Sequence, residues 1–160
     1  MRAGIGYDVH SFTEGDRLVL GGVEVPFKKG LSGWSDADVL THAIIDALLG
    51  AAALGDIGSH FPPGDPAYRD ISSMVLLAKV RQKLAENGWT TGNIDATIVA
   101  ERPRLGAYID PMRQRLSEIL GIRVEQVSVK ATTSERMGFV GREEGIAVWA
   151  VAMLGKTETE

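Results

Sequence analysis

Cysteine is absent from the 160-residue sequence, and aromatic residues make up only 6% of it. Without cysteine the chain has neither a disulfide framework nor a zinc site built from thiolates. No apolar run reaches the length needed to cross a bilayer, and the first ten residues, MRAGIGYDVH, contain no apolar signal core. The formal net charge is -4, which gives no basic surface for nucleic acid. We therefore expect a cytoplasmic protein with no membrane or nucleic-acid partner.

Histidine is scarce as well: the chain has three, and two of them lie near acidic residues. Asp8 and His10 are two residues apart in a predicted strand, so their side chains point to the same side of it. His42 lies in a predicted helix. One carboxylate and two imidazoles form the kind of three-ligand set that a catalytic zinc uses, with the fourth position left for water or substrate. We therefore interpret Asp8, His10 and His42 as candidate metal ligands.

The helix that carries His42 is apolar apart from one polar stripe. Asp38, His42 and Asp46 recur every four residues, so they lie along one face, while alanine and branched aliphatic residues cover most of the rest. We predict that Asp46 accepts a hydrogen bond from a ligand histidine ring and fixes its tautomer. The alternative is that the stripe is the solvated edge of a surface helix.

Hydrophobic periodicity and turn residues predict strands mixed with helices. The predicted strands cover 2–10, 17–20, 23–27, 94–100, 127–133 and 146–154, with Gly21 and Gly22 as a hairpin turn. The predicted helices run from an N-cap at Ser35 to near Gly55, over 71–87 and over 105–120. The continuous apolar strand 146–154 is expected in the sheet centre, covered on both faces. The fold class is α/β (α+β), a mixed sheet with helices packed on one face, in a single domain over 1–156 with a frayed tail at 157–160.

Three loops carry groups that suit phosphate oxygens or a cation. They cover 55–58 together with 61–65, then 100–106, and finally 132–135. Hydroxyls and backbone N–H groups at a strand end bind anions, and the carboxylate of Glu135 is compatible with a hard cation such as Mg²⁺. Lys130 either contributes to this anion site or is a plain surface lysine. His60 is interpreted as solvated or locally hydrogen-bonded, not as a ligand.

Six motifs run in order along nearly the whole chain: GYDVH, SDADVLTHAIIDALLGAAALGDIG, FPPGDP, GNIDATIVAERP, VKATTSERMGF and GREEGIA. Together they resemble the 2-C-methyl-D-erythritol 2,4-cyclodiphosphate synthase family of the non-mevalonate route to isoprenoids. The resemblance implies a metal-dependent phosphorus–oxygen lyase. Such an enzyme converts 4-diphosphocytidyl-2-C-methyl-D-erythritol 2-phosphate into the cyclic diphosphate and releases CMP. The resemblance also implies a homotrimer with active sites between neighbouring subunits.

The resemblance also assigns roles to individual residues. Zinc is expected on Asp8, His10 and His42, while Mg²⁺ or Mn²⁺ is expected with the diphosphate on Glu135. Thr133 is expected to stabilise the transition state. The implied substrate contacts are Asp8, His10, Trp34, Ser35, Asp56, Ile57, Gly58, Phe61, Pro62, Pro63, Gly64, Asp65, Ala100, Arg102, Pro103, Arg104, Leu105, Gly106, Ala131, Thr132, Thr133, Ser134, Glu135, Phe139 and Arg142. A cavity on the trimer axis is expected to hold an isoprenoid diphosphate near Tyr7, Phe139, Arg142 and Glu144.

Two departures from the family pattern fall in the implied site. The family usually has His-Ser-Asp where this chain has WSD at 34–36, and that histidine positions phosphate and stabilises the transition state. Trp34 carries no positive charge and offers one donor. We expect its N–H to donate to a phosphate oxygen and its ring to shield the reacting phosphates, unless it only packs under the loop. The second departure, FPPGD in place of FPDTD, transfers contacts from side chains to backbone.

Two other classes of function fit the same residues. A metal-dependent phosphohydrolase would use the three ligands to activate water. A non-catalytic isoprenoid-diphosphate binder, or a protein with a structural zinc, would use them without turnover. A structural zinc site is normally closed by four protein ligands, and only three candidates are found here. That count favours catalysis.

Overall fold

The computed structural model of the protein describes residues 1–157, in which a mixed five-stranded sheet carries its long helices on one face. Of the predicted frayed tail, Thr157 follows the last strand without regular structure, and 158–160 lie outside the described residues. The expected α+β class is therefore confirmed. Within the described residues, no helix has the length and apolar character that crossing a bilayer requires.

The strands, numbered in chain order, form one sheet and one separate hairpin. Their bounds are β1 Arg2–Glu14, β2 Leu18–Leu20, β3 Val23–Val25, β4 Lys29–Leu31, β5 Trp89–Val99, β6 Val127–Thr132 and β7 Gly145–Lys156. The sheet order is β4-β1-β7-β5-β6, in which only the β5–β6 pair is parallel. The β2–β3 hairpin turns at Gly21 and Gly22, both with positive φ, as predicted.

The helices are α1 Val39–Ala52, α2 Ile57–His60, α3 Ser73–Glu86, α4 Ile109–Leu120 and α5 Gly138–Gly141, with short 3-10 turns at Pro66–Tyr68, Gly106–Tyr108 and Val124–Gln126. The predicted N-cap at Ser35 is wrong. Asp38 caps α1 by accepting from the Thr41 N–H, because a carboxylate three residues upstream reaches that free donor best. Ser35 instead lies in the turn before the helix.

Helix α1 packs against β1 at unusually short range. A Cβ added to Gly6 would lie 1.9 Å from the Ala43 carbonyl oxygen, and one added to Gly4 would lie 2.1 Å from that of Ala47. Only glycine permits this approach of helix to strand. The short distance brings side chains of the two elements together near the middle of β1, where Asp8 and His10 lie.

The prediction that strand 146–154 is covered on both faces is wrong for the single chain. β7 is the central strand, and Ile146, Val148 and Leu154 are buried beneath the helices. Trp149 and Val151 point to the other face, where their side chains are exposed because the long helices lie on one side only. Ile5, Tyr7 and Val9 of β1 extend this exposed apolar face.

Candidate functional site

Asp8, His10 and His42 meet at one point between β1 and α1. His10 Nε2 lies 3.0 Å from Asp8 Oδ2, and His42 Nδ1 lies 3.1 Å from the same oxygen. The two ring nitrogens are 3.2 Å apart. Ligand atoms of a tetrahedral site with bonds near 2.1 Å are separated by about 3.4 Å, so the spacing is close to that of such an ion. The three side chains form a group that can hold a divalent metal, as the sequence predicted.

Hydrogen bonds and charges within this cluster keep Asp8 as a carboxylate and orient the two rings. Burial alone would raise the pKa of the Asp8 carboxyl, but hydrogen bonds and charge from His10 and His42 hold that pKa well below its ordinary range. Burial would lower the pKa of His10, and its bonds to Asp8 and to the Ser32 carbonyl raise it instead. His10 Nδ1 lies 2.5 Å from that carbonyl oxygen and donates to it, so Nε2 is the ring nitrogen that faces the cluster.

The cluster opens into a cavity of about 320 Å³, which we call the metal pocket. Its lining includes many of the predicted substrate residues: Asp8, His10, Trp34, Ser35, Ile57, Gly58, Phe61 and Pro63. Tyr68 and Leu76 also line it, although the sequence analysis missed them. Both are ordinary apolar positions of a loop and a helix, so their sequence context carried no functional signal. Pro62 and Gly64 are not among the lining residues.

Two predicted contacts of the metal pocket have local structural roles. Asp56 caps α2 by accepting from the Ser59 N–H and hydroxyl, and these hydrogen bonds lower the pKa of its carboxyl. Asp65 accepts from the Ala67 N–H and caps the following 3-10 turn. Both carboxylates therefore shape the loop around the pocket in this structure.

A second cavity, of about 380 Å³, lies where β5 and β6 end, and we call it the strand-end pocket. Its lining contains most of the predicted contacts of this region: Ala100, Pro103, Arg104, Leu105, Gly106, Ala131, Thr132 and Thr133, together with Glu101 and Ile109. Arg102 faces a neighbouring cavity and lies 3.5 Å from Glu143. The sheet thus brings two separated sequence segments into one pocket, because the ends of parallel strands meet at one edge.

Glu101 organises the loop after β6. Its carboxylate accepts from the N–H and hydroxyl of Ser134 and from the N–H of Arg136, and these bonds lower the pKa of Glu101. Glu135 is exposed on the same loop, with its Oε1 3.5 Å from the Thr133 hydroxyl. The predicted loop 100–106 contains Glu101 but gave it no role of its own, because its partners are 33 or more residues away in the chain.

The two pockets are separate within one chain. Val9, Ala147, Val99 and Thr132 lie on one row across β1, β7, β5 and β6. Three strand spacings along this row place Val9 in the middle of β1 about 14 Å from Thr132 at the end of β6. The metal ligands on β1 and the loop of Glu135 after β6 are therefore separated by three strand positions across the sheet.

Trp34 fastens the loop before α1 to the segment before α3. Its indole N–H donates to the Asp65 carbonyl at 2.9 Å, and its own carbonyl accepts from the Asp70 N–H. The Arg69 guanidinium lies 5.8 Å from the ring centre. The predicted N–H donation to phosphate does not fit this arrangement, since the single donor is already used. The ring still lines the metal pocket with 39% of the residue exposed.

The predicted bond between Asp46 and a ligand histidine is wrong. Asp46 accepts from the Ile57 N–H at 2.8 Å, and burial raises the pKa of its carboxyl. His42 turns its Nε2 toward Ser73 Oγ, at 2.8 Å, and Ser35 Oγ, at 3.1 Å. Helical side chains lean toward the helix N-terminus, so the ring points away from a residue one turn later.

The remaining candidates have partners elsewhere. Lys130 pairs with Asp95 on the neighbouring strand, and His60 Nε2 bonds to the Leu54 carbonyl at 2.7 Å, the local interaction that the sequence predicted. Arg142 and Glu144 form an ion pair of 2.7 Å. Two further residues assigned to the axial cavity, Tyr7 and Phe139, are exposed in the single chain.

The fold and the site define a single-domain α+β protein with a carboxylate–histidine–histidine centre between its sheet and its most buried helix. A family model described as the YgbB family matches residues 1–155. The chain therefore belongs to the YgbB family.

Curated relatives carry one name. A protein from Dehalococcoides mccartyi is 60% identical over 154 residues, 96% of this chain and 98% of its own length. One from Alkaliphilus metalliredigens is 58% identical over 157 residues, 98% of this chain and 99% of its own. Both are named 2-C-methyl-D-erythritol 2,4-cyclodiphosphate synthase.

Solved structures show the same fold. The IspF–CDP complex of Plasmodium falciparum aligns with a TM-score of 0.85 and 30% identity, over 98% of this chain and 97% of that one. The bifunctional IspDF of Campylobacter jejuni aligns with a TM-score of 0.95 and 39% identity, and here this chain covers 42% of the larger one.

Proposed function

We propose that the protein closes 4-diphosphocytidyl-2-C-methyl-D-erythritol 2-phosphate into 2-C-methyl-D-erythritol 2,4-cyclodiphosphate and releases CMP, in the non-mevalonate supply of isoprenoid precursors. The observation that carries the proposal is the Asp8–His10–His42 cluster at the metal pocket. The relatives that are 58–60% identical and bear the name of this enzyme support it.

The donor set supports zinc on Asp8, His10 and His42, and Glu135 is the residue that would hold Mg²⁺ or Mn²⁺ with the diphosphate. Bound metal supplies polarisation of a phosphoryl oxygen and neutralisation of the diphosphate charge. The two cation sites differ in kind: the first is preformed by three side chains, while the second has one exposed carboxylate and needs substrate oxygens to complete it.

The chain itself holds the substrate folded. An oxygen of the 2-phosphate attacks the diphosphate phosphorus that is attached to methylerythritol. The bond from that phosphorus to the oxygen that leaves with CMP breaks. No water or other reactant is consumed. Holding the nucleophile near the phosphorus supplies much of the rate, so no protein nucleophile is required. The rings of Trp34 and Phe61 with Pro63 exclude water from the metal pocket. The Thr133 hydroxyl of the strand-end pocket is available to the charge that develops on phosphate.

The separation of the two pockets supports active sites that lie between neighbouring subunits, in the homotrimer that the family resemblance implies. A metal pocket from one subunit and a strand-end pocket from the next would then hold the phosphates and the cytidine of one substrate. The exposed apolar face of β1 and β7 would be covered in this assembly. The axial cavity for an isoprenoid diphosphate, near Tyr7 and Arg142, the domain span 1–156 and the cytoplasmic location all stay predictions.

The test is turnover of the cytidine substrate with zinc and Mg²⁺ present, followed by ³¹P NMR of the products and the mass of the native assembly. CMP and a cyclic diphosphate in equal amounts are expected, from a particle of three chains. Inorganic phosphate as the product would replace the proposal with a phosphohydrolase. Tight binding without any product would replace it with a non-catalytic binder.

A further inference from the structure

A hydrogen-bonded chain of a buried serine and a half-buried aspartate lies behind His42, on the side away from Asp8. His42 Nε2 is 2.8 Å from the hydroxyl oxygen of Ser73, a residue with no exposed surface. The Ser73 hydroxyl donates to Asp36 Oδ1 at 2.5 Å. The Asp36 carboxylate also accepts from the N–H groups of Ser73, at 2.9 Å, and of Asp38, at 3.2 Å. Three donors therefore fix the carboxylate in place.

The direction of the protons in this chain determines the state of His42. A carboxylate only accepts, and a serine hydroxyl has one proton to give. Since Ser73 gives its proton to Asp36, its oxygen must accept from His42, which places the ring proton on Nε2. Nδ1 then keeps a lone pair, and Nδ1 is the atom that lies 3.1 Å from Asp8 and 3.2 Å from His10 Nε2.

We infer that Ser73 and Asp36 are positioning residues that set the tautomer and orientation of His42 so that Nδ1 binds the metal. This inference rests on the proposed metal-dependent function and adds two residues that the sequence analysis did not select. A hydrogen-bonded carboxylate behind a ligand imidazole also raises the basicity of the ligating nitrogen. His10 reaches the same end by a different route, because the backbone carbonyl of Ser32 holds its outer nitrogen.

Ser35 is also near His42 Nε2, at 3.1 Å, but its position differs from that of Ser73. Ser35 lines the metal pocket, and its oxygen also accepts from the Ala37 N–H at 3.4 Å. No carboxylate in the described structure is hydrogen-bonded to the Ser35 hydroxyl. The contact between His42 and Ser73 is shorter than the one with Ser35, Ser73 is fully buried, and its hydroxyl is hydrogen-bonded to the Asp36 carboxylate. Buried hydrogen bonds that involve a charged group are the stronger ones.

The experiment compares three variants. Ser73→Ala removes the acceptor for Nε2, and Asp36→Asn leaves one acceptor oxygen where Ser73 and Asp38 together present three donors. Ser72→Ala is the matched control, because Ser72 caps the same helix by accepting from the Met74 N–H but does not contact His42. Zinc affinity is measured by competition with a chromophoric chelator. Ser73→Ala and Asp36→Asn should each bind zinc roughly 10–100-fold more weakly, while Ser72→Ala changes affinity less than about twofold.

A second measurement reads the ring itself. Nitrogen-15 NMR of the zinc-loaded protein should show His42 with its proton on Nε2, and Ser73→Ala should shift the ring toward a mixture of tautomers. A zinc affinity of Ser73→Ala equal to that of Ser72→Ala, or a zinc-loaded native protein in which His42 carries its proton on Nδ1, overturns the inference. If the native protein turns over no substrate, the proposed reaction fails, while the tautomer and zinc results still decide the role of Ser73 and Asp36.

Discussion

The metal pocket and the strand-end pocket differ in how completely one chain builds them. The metal pocket takes its ligands from two long elements packed backbone against backbone, and each ring nitrogen of His10 and His42 already has a partner. The strand-end pocket consists of the end of β6 and the adjoining loops, and its Ala131, Thr132 and Thr133 are exposed. The metal pocket is thus preorganised within one chain, while the strand-end pocket, three strand spacings away, is open.

This difference has a physical reason. Cation ligands must stay within a few tenths of an ångström of one another, so they belong on rigid elements with fixed hydrogen bonds. A nucleotide can be held by backbone and loop contacts that form when the ligand arrives. The exposed loops are therefore consistent with a pocket that is completed by substrate and by a neighbouring chain.

The most severe way to break the metal pocket is His42→Ala. The variant should lose zinc and lose turnover by at least about 10²-fold, the loss typical when even one transition-state electrostatic contact is removed. The fold should persist, because His42 lies at the edge of the core and its substitution leaves the apolar face of α1 intact. Metal analysis, an activity assay and circular dichroism measure the three outcomes.

The control for this variant is His60→Ala. His60 bonds only to the Leu54 carbonyl in the described structure, so its loss should leave the zinc content unchanged. A full zinc complement in His42→Ala would end the assignment of this centre.

A mixing experiment tests whether the metal pocket and the strand-end pocket of one active site come from different chains. His42→Ala and Glu135→Ala proteins are mixed under conditions that exchange subunits. If each site takes its metal pocket from one subunit and Glu135 from the next, about a quarter of the sites in a random mixture regain both parts. Activity should rise to that level from two inactive stocks. No recovery after proven exchange, shown by mass spectrometry of tagged chains, would mean that one chain supplies the whole site.

Substitution of Trp34 measures how much turnover depends on the aromatic ring that shields the metal pocket from water. Because its N–H is bonded to Asp65, Trp34→Ala should reduce turnover through lost shielding alone, by about tenfold and below the 10²–10³ expected for a lost transition-state donor. Zinc content should stay unchanged. Trp34→His, which restores the residue usual in the family, should keep substantial activity.

Trp34→Phe is the control that separates the ring from its N–H. It keeps an apolar ring over the pocket and removes only the bond to the Asp65 carbonyl, so we expect nearly native turnover with a small loss of stability. Normal turnover in Trp34→Ala, or a defect confined to its melting temperature, would reduce Trp34 to a packing residue.

Sequence patterns predicted the metal pocket better than they predicted what surrounds it. Asp8 and His10 could be assigned to one strand face from spacing alone, and the apolar helix with His42 followed from its period. Long-range partners have no such signal. Ser73 is 31 residues from His42 and 37 from Asp36, and a serine near a helix start is ordinarily a cap.

Two fold-level errors have the same origin. A run of apolar residues such as 146–154 predicts a strand but does not say how many faces are covered, since a subunit interface and a second helix layer favour the same composition. Likewise, either Ser35 or Asp38 suits an N-cap, and the helix start depends on the hairpin N–H groups of Gly21 and Gly22 that also bind Asp38. Tertiary contacts therefore determine how many faces of the strand are covered and which residue caps the helix.

The smallest expected effect is at Asp46, which does not bond to a metal ligand but holds the backbone of Ile57 at the wall of the metal pocket. Asp46→Asn keeps an oxygen for the Ile57 N–H, so zinc affinity should change less than about twofold, in contrast to the roughly 10–100-fold loss expected for Ser73→Ala.

Burial raises the folded-state pKa of Asp46, and so the carboxylate form opposes folding. Removing the charge should therefore raise the melting temperature slightly at pH 7. That advantage should shrink as the pH falls through the raised pKa and vanish below the ordinary pKa of an aspartic acid, where the native side chain is neutral in both states. Thermal melts across this range measure the effect, and a tenfold loss of zinc affinity in Asp46→Asn would return Asp46 to the role of a histidine-orienting group.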